Sequence, residues 1–310
     1  MNMVRKIAEN INSLSEFVGT VEYDVSMKNY TTFKVGGPAE VFITPKNLKS
    51  FCFIKNYLQE KEQKYFILGN GSNLVVSEKG ISGFVISTQK LNLIQYNLAT
   101  EELICEAGAT FDAITEFCIN NSLTGLECFA GLPASIGGAV YMNARCYGSS
   151  ISDILTSVDY INSSGIISTY SINQLDWEYK TSPFKNFLSG SCILSAHLLA
   201  RKGIKKTIIT NCEKNIENRK EKGHYKYPSA GSVFKNNHKF GKPSGQLIDE
   251  AGLKGVKCGG AQIAPWHGNF IVNNGNATAD DIKKLVDQAS QTVFNRTGFK
   301  LECEIIFCGD

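Results

Sequence analysis

Most of the usual markers of a metal, hydrolase or membrane protein are missing. Four histidines and no HExxH give no support to a structural or catalytic metal site. Ten cysteines are present, but none is spaced as CxxC, and most lie in apolar runs such as SFCFI and SCILSA, so they read as reduced core thiols. No run approaches the roughly 18 uncharged apolar residues that a membrane span needs, which excludes membrane insertion by a helix. The start, MNMVRKIAENINSLSEFVG, spaces Met3, Val4, Ile7, Ile11, Leu14 and Phe17 as a helix rather than as the unbroken apolar block of a secretion signal, so the cytoplasm is the expected compartment. A formal charge of +3 is too small to argue for nucleic acid. The GxSxG elbow of serine hydrolases is absent, and no GxGxxG announces a Rossmann dinucleotide site.

The sequence does carry an ordinary soluble composition, 43% hydrophobic and 20% charged, over 310 residues, more than a single core usually accommodates. Helix and strand patterns alternate. Residues 48–60 predict a helix, 64–69 and 83–88 strands, 102–109 a strand ending near Gly108, and 110–120 a helix capped by Thr110. SVDYINSSGIISTYSI predicts a hairpin turning at Asn162 to Gly165. The charged stretch at 203–207 is the expected domain boundary. Beyond it come a Ser-capped helix in SGQLIDEAGLKG, a strand in NFIVNN, a long helix opened by a Thr278 to Asp281 capping box, and a closing strand, LECEIIF. The basic run from Lys214 to Lys226 is set among Glu213, Glu217 and Glu221 and reads as a solvated helix face, with anion binding as the other reading.

Two glycine-rich stretches can carry chemistry. In LGNGSNLVV, Gly69 and Gly71 permit positive φ and let backbone N–H groups converge on an anion; a tight hairpin is the plainer reading. AGLPASIGGAVYMNA supplies a second set of small residues, and together the two suggest a large phosphate-bearing cofactor between them. PSAGSVFKNN presents Ser232 after a small flexible step. Ser232 and Lys235 form an SxxK, but the partner motifs of penicillin-binding proteins are absent or out of order, so the match is accidental. Glu304 and Glu302 compete as a general acid on a buried strand, where desolvation would raise a carboxyl pKa; an edge strand with both acids in water is the alternative.

In order along the chain, YTTFKVGGPAE, LGNGSNLVVSEKGISGFVI, AGLPASIGGAVYMNA, EYKTSPF, PSAGSVFKNN, LIDEAGLKG, HGNFIVNNGNAT and LECEIIFCG resemble the UDP-N-acetylenolpyruvoylglucosamine reductase family, in its shorter second type. That resemblance implies an α+β architecture: an FAD-binding domain of the vanillyl-alcohol-oxidase (PCMH) type with two lobes, residues 1–88 and 89–203, and a C-terminal α/β substrate domain, 204–310. It implies NADPH-dependent reduction of UDP-N-acetylglucosamine enolpyruvate to UDP-N-acetylmuramate through FAD, with hydride from flavin N5 to C3 and a proton from Ser232 to C2, in peptidoglycan precursor synthesis. The partner is then a small-molecule substrate, with no nucleic acid. Glu304 would aid the enol-like intermediate. The family's carboxylate-binding arginine becomes Lys180, which stays cationic but lacks the planar fork. By position, Gly69, Asn70, Gly71, Ser72, Asn73 and Leu74 would hold the diphosphate, and Gly131, Ser135, Gly137 and Gly138 the other side of the cofactor. Tyr147, Asn236, His267 and Asn269 would contact substrate, with Arg219 and Lys222 near its diphosphate. Arg145 stands where the family has glycine. The alternative activity class is a flavin- or nucleotide-binding protein of this fold with altered or lost turnover, a reading that Lys180 and Arg145 motivate.

Overall fold

Amphipathic segments become helices here where an apolar stripe has a sheet to cover. In the computed structural model, which describes residues 3–310, the chain forms two compact units: residues 3–23, 41–70 and 83–217 make one, and residues 24–40, 71–82 and 218–310 the other. Among the described residues no helix is long and apolar enough to cross a membrane.

In the first unit, the helix Leu48–Glu60 starts at Asn47, whose side chain accepts from the Ser50 N–H at 2.8 Å. Its Phe51, Ile54 and Leu58 recur at helical spacing and share a buried cluster with Ile43, Phe84 and Ile86, joined by Ile7 and Ile11 of the helix Met3–Ser13. Strand Tyr65–Leu68 runs parallel to Ile81–Ser87, Leu68 opposite Ser87, so the two strands end level with one another. A five-stranded antiparallel sheet, in the order Ile167–Ser171, Leu155–Ile161, Cys192–Leu199, Glu102–Glu106 and Ile94–Asn97, forms the larger platform. One of its hairpins turns at 162–165, where Gly165 adopts φ +81°. Helix Phe111–Asn121 covers this sheet through Phe111 and Ile114, and Thr110 caps it by accepting from the Ala113 N–H at 3.3 Å.

The stretch 130–144 is not a loop throughout. Residues Ile136–Met142 are helical, with the Ser135 hydroxyl accepting from the Gly138 N–H at 3.4 Å. The helix Lys205–Glu221 begins at the expected boundary, but the compact units divide near its C-terminal end instead, between Glu217 and Asn218.

In the second unit the helix Ala279–Thr297 places Ile282, Leu285, Val286, Ala289 and Val293 along one buried stripe. The capping box is present: Asp281 N–H donates to the Thr278 hydroxyl, and Thr278 N–H to the Asp281 carboxylate, both at 3.0 Å. The stripe packs in one core with Phe33, Val35, Val75, Val233, Phe234 and Leu247. Two expectations need correction. The helix Ser244–Glu250 is preceded by Pro243, and Ser244 is no cap: its hydroxyl donates to the Lys235 carbonyl at 2.6 Å. Only Ile306–Cys308 of the closing segment is a strand, parallel to Leu74–Val76, so Glu302 and Glu304 precede it. All ten cysteines are free thiols. Burial lifts Cys105 and Cys118 far above the ordinary thiol range, the latter to about 12.

Candidate active site

Four chain segments of the first unit enclose a cavity of about 310 Å³: Gly69-Asn70 after one parallel strand, Thr88, Gln89 and Lys90 after the other, Gly108 and Thr110 leading into the helix Phe111–Asn121, and Ser135 at the start of the helix Ile136–Met142. Its walls are held by backbone. Gly108 N–H donates to the Leu91 carbonyl at 2.7 Å, Gly137 N–H to Ala107 at 2.9 Å and Ile136 N–H to Ala109 at 2.8 Å. A Cβ on Gly69 would lie 2.5 Å from the Ser135 hydroxyl, and one on Gly108 1.8 Å from the Thr88 carbonyl oxygen, so side chains at these positions would close the cradle. Asn70 Nδ2 donates to the Pro133 carbonyl at 2.8 Å, joining the two glycine-rich stretches. The donor set of hydroxyls, amides and one ammonium, with no carboxylate among the lining residues, suits an elongated anionic cofactor.

Gly137 lies 2.9 Å, at its would-be Cβ, from the Ala107 side chain, which makes it a close-packing position. Gly131 takes φ +73°. The remainder of the first loop falls in the second unit. Gly71 adopts φ +62°, with the Tyr30 carbonyl oxygen 1.9 Å from where its Cβ would stand. Asn73 Nδ2 donates to the Glu304 carbonyl at 3.0 Å, and Leu74 opens the strand paired with Ile306. Thr88, Gln89, Lys90, Gly108 and Thr110 escaped assignment from sequence. The signal available was the small-residue end of each neighbouring strand.

Ser232 belongs to a short ladder in the second unit. It bridges Phe270, while Phe234 bridges Cys303. Val233 N–H donates to the Asn269 carbonyl at 2.9 Å, and Glu304 N–H donates to the Val233 carbonyl at 2.7 Å. The structure therefore brings Ser232 and Glu304 onto adjacent segments of one ladder. No described residue hydrogen-bonds the Ser232 hydroxyl. Lys235 pairs with Glu302, whose side chain is 71% exposed; this removes Lys235 as a base for Ser232 and distinguishes Glu302 from the half-buried Glu304.

Asn269 is buried, and its side chain grips the backbone of Phe234 twice: Oδ1 accepts from N–H and Nδ2 donates to the carbonyl, each at 2.8 Å. Asn236 Oδ1 accepts from the Ser244 N–H at 3.0 Å. His267 Nδ1 accepts from the Asn269 N–H at 3.1 Å, so that nitrogen carries no proton. Burial holds His267 below its ordinary pKa. His224, 4.9 Å from the Phe270 ring, is lowered further, to about 4, by burial and then by Arg219, His267 and Lys222. Lys222, in the turn just past the helix Lys205–Glu221, is exposed, but Arg219 in the helix's last turn is buried at 6% exposure, contrary to a fully solvated face.

Lys180 lies in the first unit at a two-residue turn closed by Glu178 N–H to Thr181 C=O at 3.2 Å and Thr181 N–H to Glu178 C=O at 3.1 Å. Its φ is +60°, a conformation that turns normally give to glycine or asparagine. The turn is anchored by Asn143 Nδ2 on the Glu178 carbonyl at 2.8 Å and by the Ser182 hydroxyl on the Tyr141 carbonyl at 2.7 Å. Tyr147 also has positive φ, +48°, and its hydroxyl donates to the Asn215 carbonyl at 2.9 Å. Arg145 turns onto its own hairpin, donating from Nη1 to the Ser150 hydroxyl at 3.2 Å.

Two family models match parts of the chain. Residues 39–171 match the family model of an FAD binding domain, and residues 223–308 that of the UDP-N-acetylenolpyruvoylglucosamine reductase C-terminal domain. A reductase of that name from Treponema denticola is 44% identical over 323 residues, covering 100% of this chain and 99% of its relative. The chain belongs to the UDP-N-acetylenolpyruvoylglucosamine reductase family. A Borreliella burgdorferi reductase of the same name is 40% identical over 97% of this chain and 99% of its own length. Among solved structures, the Thermus caldophilus reductase superposes with a TM-score of 0.77 at 33% identity, covering 94% of this chain and 99% of that one. As a member of this family, the protein is an FAD-dependent oxidoreductase of peptidoglycan synthesis, and its fold combines an FAD-binding domain with the family's C-terminal domain.

Proposed function

We propose that this reductase takes electrons from NADPH in the cytoplasm and saturates the enolpyruvyl ether of UDP-N-acetylglucosamine, with Ser232 as the proton donor to C2. When bound, FAD supplies hydride transfer, accepting it from NADPH and delivering it to the vinyl C3. The 310 Å³ cavity of the first unit is proposed as part of the cofactor's seat, with Gly69, Asn70 and Ser135 in its lining, Gly138 hydrogen-bonded to Ser135 behind it, and Gly71, Ser72, Asn73 and Leu74 continuing the loop. As functional divisions we propose lobes at 1–88 and 89–203 and a substrate domain at 204–310, whose last boundary lies at the start of the helix Lys205–Glu221, whereas the compact units part near that helix's end.

The chain's own residues have two tasks at the substrate. Addition at C3 leaves electron density on C2 and the adjacent carboxylate. A fixed cation lowers the energy of that charge, the role assigned to Lys180, with Glu304 assisting the enol-like species. A proton must then reach C2. A serine hydroxyl is a weak acid, but a carbanion-like carbon is a strong enough base to take its proton, so Ser232 needs no partner base. Its hydroxyl is held on a ladder beside Glu304 without a hydrogen-bonding base, and this is the observation that carries the proposal. Asn236, Asn269, His267, Tyr147, Arg219 and Lys222 are assigned to shaping or contacting the nucleotide substrate. For Asn269 the role is to hold the backbone of Phe234, two residues from Ser232.

The test separates the half-reactions. In stopped-flow measurements Ser232→Ala is expected to keep flavin reduction by NADPH at the wild-type rate while reoxidation by the enolpyruvyl nucleotide slows by about three orders of magnitude or more. Equal loss in both would remove Ser232 as the proton donor.

A further inference from the structure

The cavity of the first unit has one charged lining residue, Lys90. Lys90 follows the strand Ile81–Ser87 by three residues and stands on the rim with its side chain exposed. It forms no ion pair or hydrogen bond with any described residue. That is unlike Lys235, Lys242, Lys254 and Lys284, each of which is paired with a carboxylate. The other lining residues are glycines, hydroxyls and side-chain amides, all neutral. An anion in this cavity therefore meets many dipoles and a single full charge.

Resting on the reading that FAD occupies this cavity, we propose that Lys90 is the residue that neutralises the cofactor's diphosphate. The glycine-rich backbone provides shape, whereas Lys90 supplies the long-range attraction that selects a dianionic ligand over a neutral flavin. An ammonium on an exposed four-carbon stem can follow a phosphate oxygen without a fixed geometry. Because it is exposed, its field is screened over about 8 Å at physiological salt, so its contribution must fade as salt rises. A residue that only shaped the cavity would show no such dependence.

The experiment follows flavin release from purified holoenzyme on serial dilution, read by flavin fluorescence at 20 mM and 500 mM salt. At low salt Lys90→Met is expected to raise the FAD Kd roughly tenfold, and Lys90→Glu further, while Lys90→Arg stays near wild type. At high salt the difference between Lys90→Met and wild type shrinks to about twofold. Gly69→Ala, which pushes a methyl toward Ser135, tests the cavity itself. If Gly69→Ala releases FAD and Lys90→Met does not, the Lys90 assignment falls and the cavity assignment stands. If neither variant weakens FAD binding, both fall. A Lys90→Met effect of equal size at both salts would also overturn the proposal, since it would mark a change of shape rather than of charge.

Discussion

The cavity of the first unit is closed in by backbone and by residues chosen for lacking bulk, whereas the ladder around Ser232 in the second unit depends on side chains that tie backbone segments together. Gly69 and Gly108 matter for what they omit. Asn269 matters for what it joins, since one buried amide completes both polar groups of Phe234. A cradle closed in by glycine backbone tolerates a variety of surrounding side chains but no added Cβ. A ladder stitched by a side chain should show the opposite sensitivity. The cofactor must be held in both redox states, and steric fit does that without titrating. Ser232, in the role proposed for it, has to stay at a fixed height in its ladder, which requires directional bonds.

Substitutions can break this contrast, and the largest effect is expected at Gly108. Gly108→Ala forces a methyl onto the Thr88 carbonyl, destabilising the first unit by about 3 kcal/mol and leaving purified protein largely without flavin, as the ratio of flavin to protein absorbance would show. Next comes Asn269→Ala, which strands a buried N–H and carbonyl at Phe234 and should cost about 2 to 3 kcal/mol in urea unfolding of the second unit. Flavin content at low urea should stay normal, and a drop as large as that of Gly108→Ala would erase the distinction.

Lys180 sharpens the contrast because its backbone is strained while its charge is retained. Lys180→Gly relieves the positive φ and should stabilise by about 1 kcal/mol, measured as a rise in melting temperature, while substrate-dependent reoxidation is lost. Lys180→Arg should keep turnover. Normal turnover in the glycine variant would place the carboxylate's cation elsewhere.

The smallest effect is a pH slope. His224 has a folded pKa of about 4, below its ordinary 6.5, so the unfolded chain binds the extra proton first as pH falls. Stability should be intact above pH 6.5 and decline as pH falls from about 6.5 to about 4. His224→Gln should flatten that part of the melting-temperature profile, and an unchanged slope would assign it to other groups.

Much of the first unit's frame was legible from sequence because its signals are local. The Thr110 cap, the apolar stripe of Leu48–Glu60 and the hairpin turn at Gly165 all lie within a few residues of what they specify. Ile136–Met142 was hidden because two glycines in its first turn argue against a helix by propensity, at about 1 kcal/mol each. The close approach of Gly137 to Ala107 supplies the reason for accepting that penalty, and it is a tertiary fact. The glycine stretches showed where a cofactor could lie, but Thr88, Gln89 and Lys90 joined it only through the strand that precedes them. In the second unit, a helix face that reads as solvated conceals Arg219, and an apolar tail that reads as one strand becomes a bridge followed by a short parallel pair. Partners more than two hundred residues away leave no periodicity to read.

The parallel pair of Leu74–Val76 with Ile306–Cys308 has a consequence for biosynthesis. Its first strand leaves the ribosome long before its mate exists, since 231 residues separate Asn73 from Glu304. At roughly 5 to 20 residues per second, the apolar Val75 and Val76 wait on the order of ten to fifty seconds for their partner. A nascent chain truncated before residue 306 should therefore carry an unsatisfied hydrophobic edge, and chaperone protection would be needed most during that interval.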